Sequence, residues 1–540
     1  MSLLIPAAAL TGSQKPKIEL ELAGRGNGWT DIIADVLSPI RISYGIQGGG
    51  PTDRTASAGT CRIELNNSAQ NSGGRLGYYS PGSGNARVGF ALGIRVRVQL
   101  RDPATNTYHV KHIGSIVTIA PQPGAYGPRR VVVESADWID EAARATVAGL
   151  ATQINKRSDE IVSLLIGNVA RSPEAQSIAT GADTYAYALD TARDDRANPV
   201  LQELARVTLS ELGYLYQRGN GTVVFEARFD RANTTDAVTL TNDMSGLTVT
   251  SSRDDLLTRV QVVTHPRTVD SAAVVLYRLQ SVTEIPVGGT AVLLGPYTDP
   301  NNRASRVGGT DMIAPVATTD YLANSLANGT GTDLTSSLSV TANLGSNGVR
   351  WSIVNNSGQV AYITKLQARG KGVYDYETTV AEAEDAALAT DYGEQVAVID
   401  LPYQSDPAVG QSTAEYLLGL YGPQEIGVWS LGTAGSSELG VTTQLSYFNR
   451  SSVGSVQVRP RSAALQTQIL TRDIGDRIRI EETVTGTAAS FYIQAVALEV
   501  VAPGIPSVTW TLAPADTQAY WALGETGYSE LGNTTWLAFS

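Results

Sequence analysis

Apolar and polar positions alternate in several short runs over residues 16–140. KIELEL (17–22), CRIEL (61–65), IRVRV (94–98) and RRVVVE (129–134) each put every second side chain on one face. Residues 16–140 therefore read as strands with one buried and one wet face. The loop around Gly73 to Asn85, rich in Gly, Ser and Tyr, is expected at the surface. The period then changes. Ser158, Asp159 and Glu160 offer an N-cap and first-turn acids, and Ile161, Leu164, Leu165 and Val169 follow at helical spacing. A second helix is predicted from Asn198-Pro199, with Leu201, Leu204, Thr208 and Leu212 on one face and Gly213 as its stop. A hairpin follows: Tyr214 to Tyr216, a turn over Arg218 to Gly221, then Thr222 to Phe225. VRWSIVN (349–355) and VAYITKLQA (360–368) indicate an inserted β-sandwich over 265–370, and a short helix is expected from Thr379 to Leu388.

Two internal repeats add to this pattern. LGIRVRV (92–98) resembles IGDRIRI (474–480), GTCRI (59–63) pairs loosely with GSVQV (454–458), VKHIGSIVTIAP (110–121) parallels IQAVALEVVAP (493–503) with a one-residue slip, and RRVVVESAD (129–137) parallels SVTWTLAPAD (507–516). The order is kept throughout, which predicts two copies of one small β-barrel, at about 58–138 and 453–516. The second repeat is shorter and sharper. WSLGTAGSSELGVTTQL (429–445) and WALGETGYSELGNTTWL (521–537) agree at 11 of 17 positions and bracket the second copy. Trp429, Glu438, Trp521, Glu530 and Trp536 are the expected interface or packing residues there. The predicted class is mainly β with a small α+β middle. A first barrel domain occupies 1–140, the middle with two helices and a hairpin 141–264, the sandwich 265–372, and the second barrel with the duplicated segments 373–540.

At 540 residues, three or four domains are expected. Frequent glycine and only 17% charged residues fit the β reading. The net charge of −12 argues against a protein that grips phosphates. Only six of the 40 basic residues are Lys; the Arg bias suits bidentate pairing at interfaces and equally follows from genome composition. The lone Cys61 excludes a disulfide framework and reads as a core residue. Ser2 to Leu10 is apolar but lacks a basic start and contains Pro6, so cleavage is not expected, and no run is long enough to span a membrane.

Catalytic readings find little support. His109 and His112 stand three apart on a strand, hence on opposite faces, and His265 precedes Pro266. No metal or other cofactor is expected. Glu438 and Glu530 share near-identical surroundings, whereas an acid/base pair needs environments that split its pKa values. Asp473 to Asp476 lacks the spaced ligands of a calcium loop and reads as a polar turn.

Together, AGTCRIELNNSAQNSGGRLGYYSPGS (58–83), ELARVTLSELGYLYQRGNGTVVFEARF (203–229), DIGDRIRI (473–480) and YWALGETGYSELGNTTWL (520–537) resemble the tail hub (baseplate hub) proteins of tailed bacteriophages. The likeness spans most of the chain and is weakest over 265–370. It implies a non-enzymatic hub at the virion tail tip. It also implies a homotrimer whose six barrels form a pseudo-sixfold ring. Its partners would be the tail tube or distal tail protein, a tip fibre or spike, and the tape-measure protein, with DNA passing through unbound. The alternatives are a host-surface carbohydrate-binding module carried by the insert and, further off, a cell-wall hydrolase.

Overall fold

The computed structural model describes residues 15–515, apart from 125–128, 149, 151, 190–197, 233–234, 243, 251–255, 422–451, 460–461 and 502–504. The duplicated segments, with Trp429, Glu438, Trp521, Glu530 and Trp536, lie outside the described residues.

The alternating N-terminal segments form β1 (Lys17–Leu20), β2 (Thr30–Asp31), β3 (Val36–Gly45), β4 (Ser57–Asn66), β5 (Arg95–Asp102), β6 (Thr107–Gln122) and β7 (Arg130–Ala136). Val96, Val98 and Leu100 of β5 and Cys61, Ile63 and Leu65 of β4 fill the core, as period two requires. The strand order is β3-β4-β7-β6-β5-β1-β2. The loop between β4 and β5 is tied down more tightly than its composition implies. Tyr79 is fully buried and donates to Asp35 Oδ2 at 2.5 Å, while Asn67 Oδ1 accepts from Tyr79 N at 2.8 Å.

The middle begins with α1 (Trp138–Arg144), whose N-cap Asp137 accepts from Ile139 N, then α2 (Ser158–Gly167) and α3 (Val200–Glu211). Both predicted helices are present, with altered ends. Arg157 holds the N-cap position of α2, and Ser158 instead donates to the buried Glu211 at 2.8 Å. Leu212, not Gly213, takes the left-handed turn that stops α3, at φ 57°. The predicted hairpin is β8 (Tyr214–Gln217) with β9 (Thr222–Glu226). Two further strands, β10 (Val238–Thr241) and β11 (Gly246–Thr250), leave this region for the second copy.

Next, β12 (Arg259–Thr264) lies between β13 (Thr379–Glu384) and β14 (Val396–Leu401). The helix expected from Thr379 is thus a strand first, and α4 (Ala386–Tyr392) starts only after its N-cap Asp385. In TVAEAE the small Ala381 and Ala383 alternate inward beneath α5 (Pro407–Tyr421), and this tertiary pairing outweighs the helix preference of Ala and Glu. Between β12 and β13 stands the inserted sandwich. A six-stranded sheet built around Ala361–Asp375 faces a three-stranded one centred on Gly348–Asn355, with Trp351, Ile353, Ile363 and Leu366 between them.

The C-terminal region supplies β15 (Ser452–Val458), α6 (Ala463–Thr471), β16 (Arg477–Glu482), β17 (Thr487–Val501) and β18 (Ile505–Pro514). With β10 and β11 their order is β11-β15-β18-β17-β16-β10. This repeats the order β3-β4-β7-β6-β5-β1, with one difference: β10 runs parallel to β16, whereas β1 runs antiparallel to β5. In each copy the two ends of the strand order are joined by a short link, Asp31 to Val36 in one and Thr241 to Gly246 in the other. Five residues reach at most about 18 Å, so each sheet must curl to bring its edges together. The pairing closes no barrel among the described residues. The outer edge of β3 is taken by β17, so the two expected barrels are halves of one 13-stranded sheet over one continuous apolar core.

Candidate functional site

The site is the junction between the copies. Strand β3 runs antiparallel to the second half of β17, from Gly45 opposite Ala495 to Ile40 opposite Val500. Ile42, Tyr44, Val496 and Leu498 bury their side chains along it. The ladder ends with Ile46 N donating to Gln494 O at 2.9 Å. Gly45 is required here: its φ is +124°, and a Cβ would lie 2.5 Å from Gln494 O. Arg41 and Glu499 pair at 3.0 Å across the exposed face, which adds little.

A second contact lies beside the first. Helix α6 connects β15 to β16 and packs on β5 and β6 of the other copy. Thr467 Oγ1 donates to Asp102 Oδ2 at 3.0 Å, and Lys111 Nζ donates to Arg472 O at 3.2 Å. The ladder between β5 and β6 shifts register between Val98 and Gln99, opposite Lys111. That bulge turns Lys111 inward beside His112.

The β8–β9 turn wedges into the same place. Gly219 N donates to Asp473 Oδ2 at 3.1 Å, and a Cβ there would lie 2.8 Å from Tyr44 Oη and 2.9 Å from Lys111 O. Burial lowers the Lys111 pKa, while Asp473 and Asp476 pull it back up. Burial likewise raises Tyr44 and Asp476. Both copies and the middle region thus meet in one mixed-charge knot, where removing one partner leaves the others buried without compensation.

The residues weighed for chemistry are dispersed. His112 is buried against Ser135 Oγ at 2.8 Å, and burial holds its pKa down to about 3. The bulge at Lys111 corrects the expected opposite faces: His109 stands across from Leu100 and His112 across from Val98, so the two share one face of the strand, while His265 pairs with Asp400 at 2.6 Å. Among the described residues no group of three His, Cys, Asp or Glu side chains is placed to hold a metal. Cys61 is a core residue whose thiol burial pushes up to about 12. The 473–476 segment is a turn, with Gly475 at φ +87°, and also half of the knot. Lys111 and Gly45 escape sequence reasoning; a lysine inside an alternating strand was the available signal. No described helix is long and apolar enough to cross a membrane.

No family model and no curated protein sequence matches the chain. Among solved structures it is similar to the 43 kDa tail protein of prophage MuSo2 from Shewanella oneidensis, at 9% identity and TM-score 0.46 over 93% of this chain and 99% of that one. It is also similar to a tail protein from Neisseria meningitidis MC58, at 8% identity and TM-score 0.46 over 92% and 96%. A third is prophage tail protein gp18 from Listeria monocytogenes EGD-e, at 7% identity and TM-score 0.38 over 92% and 94%.

Proposed function

We propose that the chain is a structural, non-enzymatic hub of a bacteriophage tail tip. Three chains form a pseudo-sixfold ring that joins the tail tube to the tip fibre or spike. The observation that carries this reading is the strand order repeated in two copies that sit side by side in one sheet. A chain with two like units is a simple way for a threefold assembly to mate with a sixfold one. The hub resemblance of 58–83, 203–229, 473–480 and 520–537 supplies the tail context. In this reading one face of the ring meets the tube or distal tail protein and the other the fibre or spike, with the tape-measure protein ending nearby. The net charge of −12 lets DNA slide past without sticking. Trp429, Glu438, Trp521, Glu530 and Trp536 contribute packing or interface contacts beside the second copy.

The carbohydrate-binding alternative started from the aromatic residues of the insert. Trp351 and Tyr297 are fully buried in the sandwich core, so these two rings offer no stacking platform.

Native mass spectrometry of the full chain, with an electron-microscopy map of the intact tail, tests the proposal. A trimer on the tail axis is expected. A stable monomer in the virion, or a place off the axis, overturns it. The double variant Trp429→Ala/Trp521→Ala is expected to lower the yield of folded rings; normal trimers would remove those two residues from the assembly.

A further inference from the structure

Lys111 is poorly provided for as a buried cation. It is 3% exposed, and among the described residues its side chain makes one hydrogen bond, from Nζ to Arg472 O at 3.2 Å. An ammonium has three N–H donors, so an ionised Lys111 would keep two of them buried and unpaired. The charges around it do not call for a third cation either. Arg218 and Arg472 already face Asp473 and Asp476, and Arg472 pairs with Asp476 at 3.4 Å. Burial holds the Lys111 pKa below the ordinary lysine range. A buried lysine that gives up its proton is an amine nucleophile.

An electrophile stands beside it. The Asp473 carboxyl lies a few bonds along the chain from the Arg472 carbonyl that Nζ touches. Backbone N–H groups hold both of its oxygens: Oδ2 accepts from Gly219 N at 3.1 Å and Oδ1 from Ile474 N at 2.9 Å. Two fixed donors on one carboxyl group stabilise the negative charge that its oxygens gain when the carbon is attacked. Asp476 is the third member. Its Oδ2 accepts from Asp473 N at 3.2 Å, and burial raises its pKa, so it can hold a proton in transit.

We propose that Lys111 Nζ and Asp473 Cγ become joined by an isopeptide bond once the chain has folded, with Asp476 as the proton carrier. Rotation about the bonds of the Lys111 side chain carries Nζ from Arg472 O to Cγ. Asp476 takes a proton from the ammonium, and the freed lone pair attacks Cγ. The C–N bond forms and one Cγ–O bond breaks. That oxygen leaves as water with two protons shed by Nζ, one of them delivered through Asp476, and the third stays on the amide nitrogen. The ammonium and carboxylate charges cancel, and nothing is oxidised or reduced. Holding amine and acid together in one dry place supplies the effective concentration that this condensation lacks in water.

The bond ties β6 of the first copy to the turn that precedes β16 of the second. Beside it the copies are held by the backbone ladder of β3 with β17 and by side-chain packing. Those contacts can be pulled open and reform, whereas an amide cannot. The link therefore keeps the two copies together when the junction is strained, and the β8–β9 turn stays wedged over it through Gly219.

The test is chemical and does not depend on whether the chain forms a ring. Its methionines are Met1, Met244 and Met312, and Cys61 is its single cysteine. Cyanogen bromide in denaturing acid therefore cuts the full chain into a piece ending at Met244, then 245–312 and 313–540, and no disulfide within the chain can hold these together. The expected products are 245–312 alone and the two outer pieces linked, lighter than their summed masses by one water. Proteolysis of the linked pair should yield a branched peptide joining Lys111 to Asp473. Lys111→Met should release the outer pieces at full mass; pieces still linked in that variant overturn the proposal. In freshly synthesised Asp476→Asn the linked form should accumulate at least about a hundredfold more slowly. An unchanged rate overturns its role as proton carrier. Three separate pieces of full mass from the purified chain, or a branch at any other pair of residues, overturn the bond itself.

Discussion

Gly93 and Gly475 hold the same position in the two copies. Both have a left-handed backbone, at φ 81° and 87°. Gly93 N donates to Ile116 O at 2.8 Å and Gly475 N to Ile493 O at 3.0 Å. Each isoleucine N–H donates back to the residue after the glycine, Ile116 to Ile94 O at 2.9 Å and Ile493 to Asp476 O at 3.0 Å. The pairing of Ile116 with Ile493 also corrects the sequence match of these strands, in which the two Ala-Pro ends were set against each other. The bulges just after the isoleucines, not the prolines, are the equivalent points.

These glycines differ in their surroundings. A Cβ on Gly93 meets nothing closer than Arg171 Nη2 at 3.6 Å, while one on Gly475 collides with Tyr216 Oη and Glu226. Gly93→Ala is expected to cost about 1 kcal/mol, from backbone strain alone. Gly475→Ala should cost about 3 kcal/mol or more, because the buried Tyr216–Glu226 hydrogen bond of 2.6 Å must also move. Urea unfolding of the two variants measures the difference, and equal costs would contradict the account.

His112 predicts a dependence of stability on pH. Its folded pKa of about 3 lies below the ordinary histidine value of 6.5, so below pH 6.5 the unfolded chain takes up a proton that the fold excludes. Its contribution is complete above pH 6.5 and lost as pH falls from there towards 3. By pH 5 the loss is about 2 kcal/mol. His112→Gln should flatten this part of the profile, followed by chemical denaturation at several pH values; an unchanged slope would count against the assignment.

Asp137, the N-cap of α1, acts with the opposite sign. Burial raises its pKa from 3.8 to about 7, so the fold favours the protonated acid. Stability from this group is full below pH 3.8 and declines as pH rises to about 7. Asp137→Asn keeps an acceptor for Ile139 N and removes the decline. The variant should be more stable than the parent by about 1–3 kcal/mol at pH 8, with little gain at pH 4. No gain at pH 8 would show that the carboxylate is compensated where it sits.

Trp351 tests whether the insert stands on its own core. It is fully buried between the two sheets of the sandwich, and truncation to Ala should cost about 3–5 kcal/mol. The insert leaves and rejoins the chain where Thr264 and Thr379 pair. Loss of hydrogen-exchange protection in Trp351→Ala is therefore expected within 267–375, with residues 40–45 and 495–500 still protected. A global loss would mean the sandwich supports the junction.

Period-two alternation and the Gly turns determined β4 to β7, β15 to β18 and their duplication, because one-sided burial writes itself into local sequence. The hairpin at 214–226 and the two middle helices were legible for the same reason, through turn glycines and 3.6-residue spacing. Only the tertiary structure decided the rest. The pairing of β3 with β17 joins backbones more than 400 residues apart, and backbone hydrogen bonds leave no mark on side-chain choice beyond a glycine such as Gly45. The bulge that turns Lys111 inward adds one residue to a strand whose pattern still reads as alternation. TVAEAE became a strand because β12 and α5 were there to receive it, and β10 and β11 joined the second copy because its sheet edges were open. Local pattern specified which faces must be buried; the partners available in space decided against what.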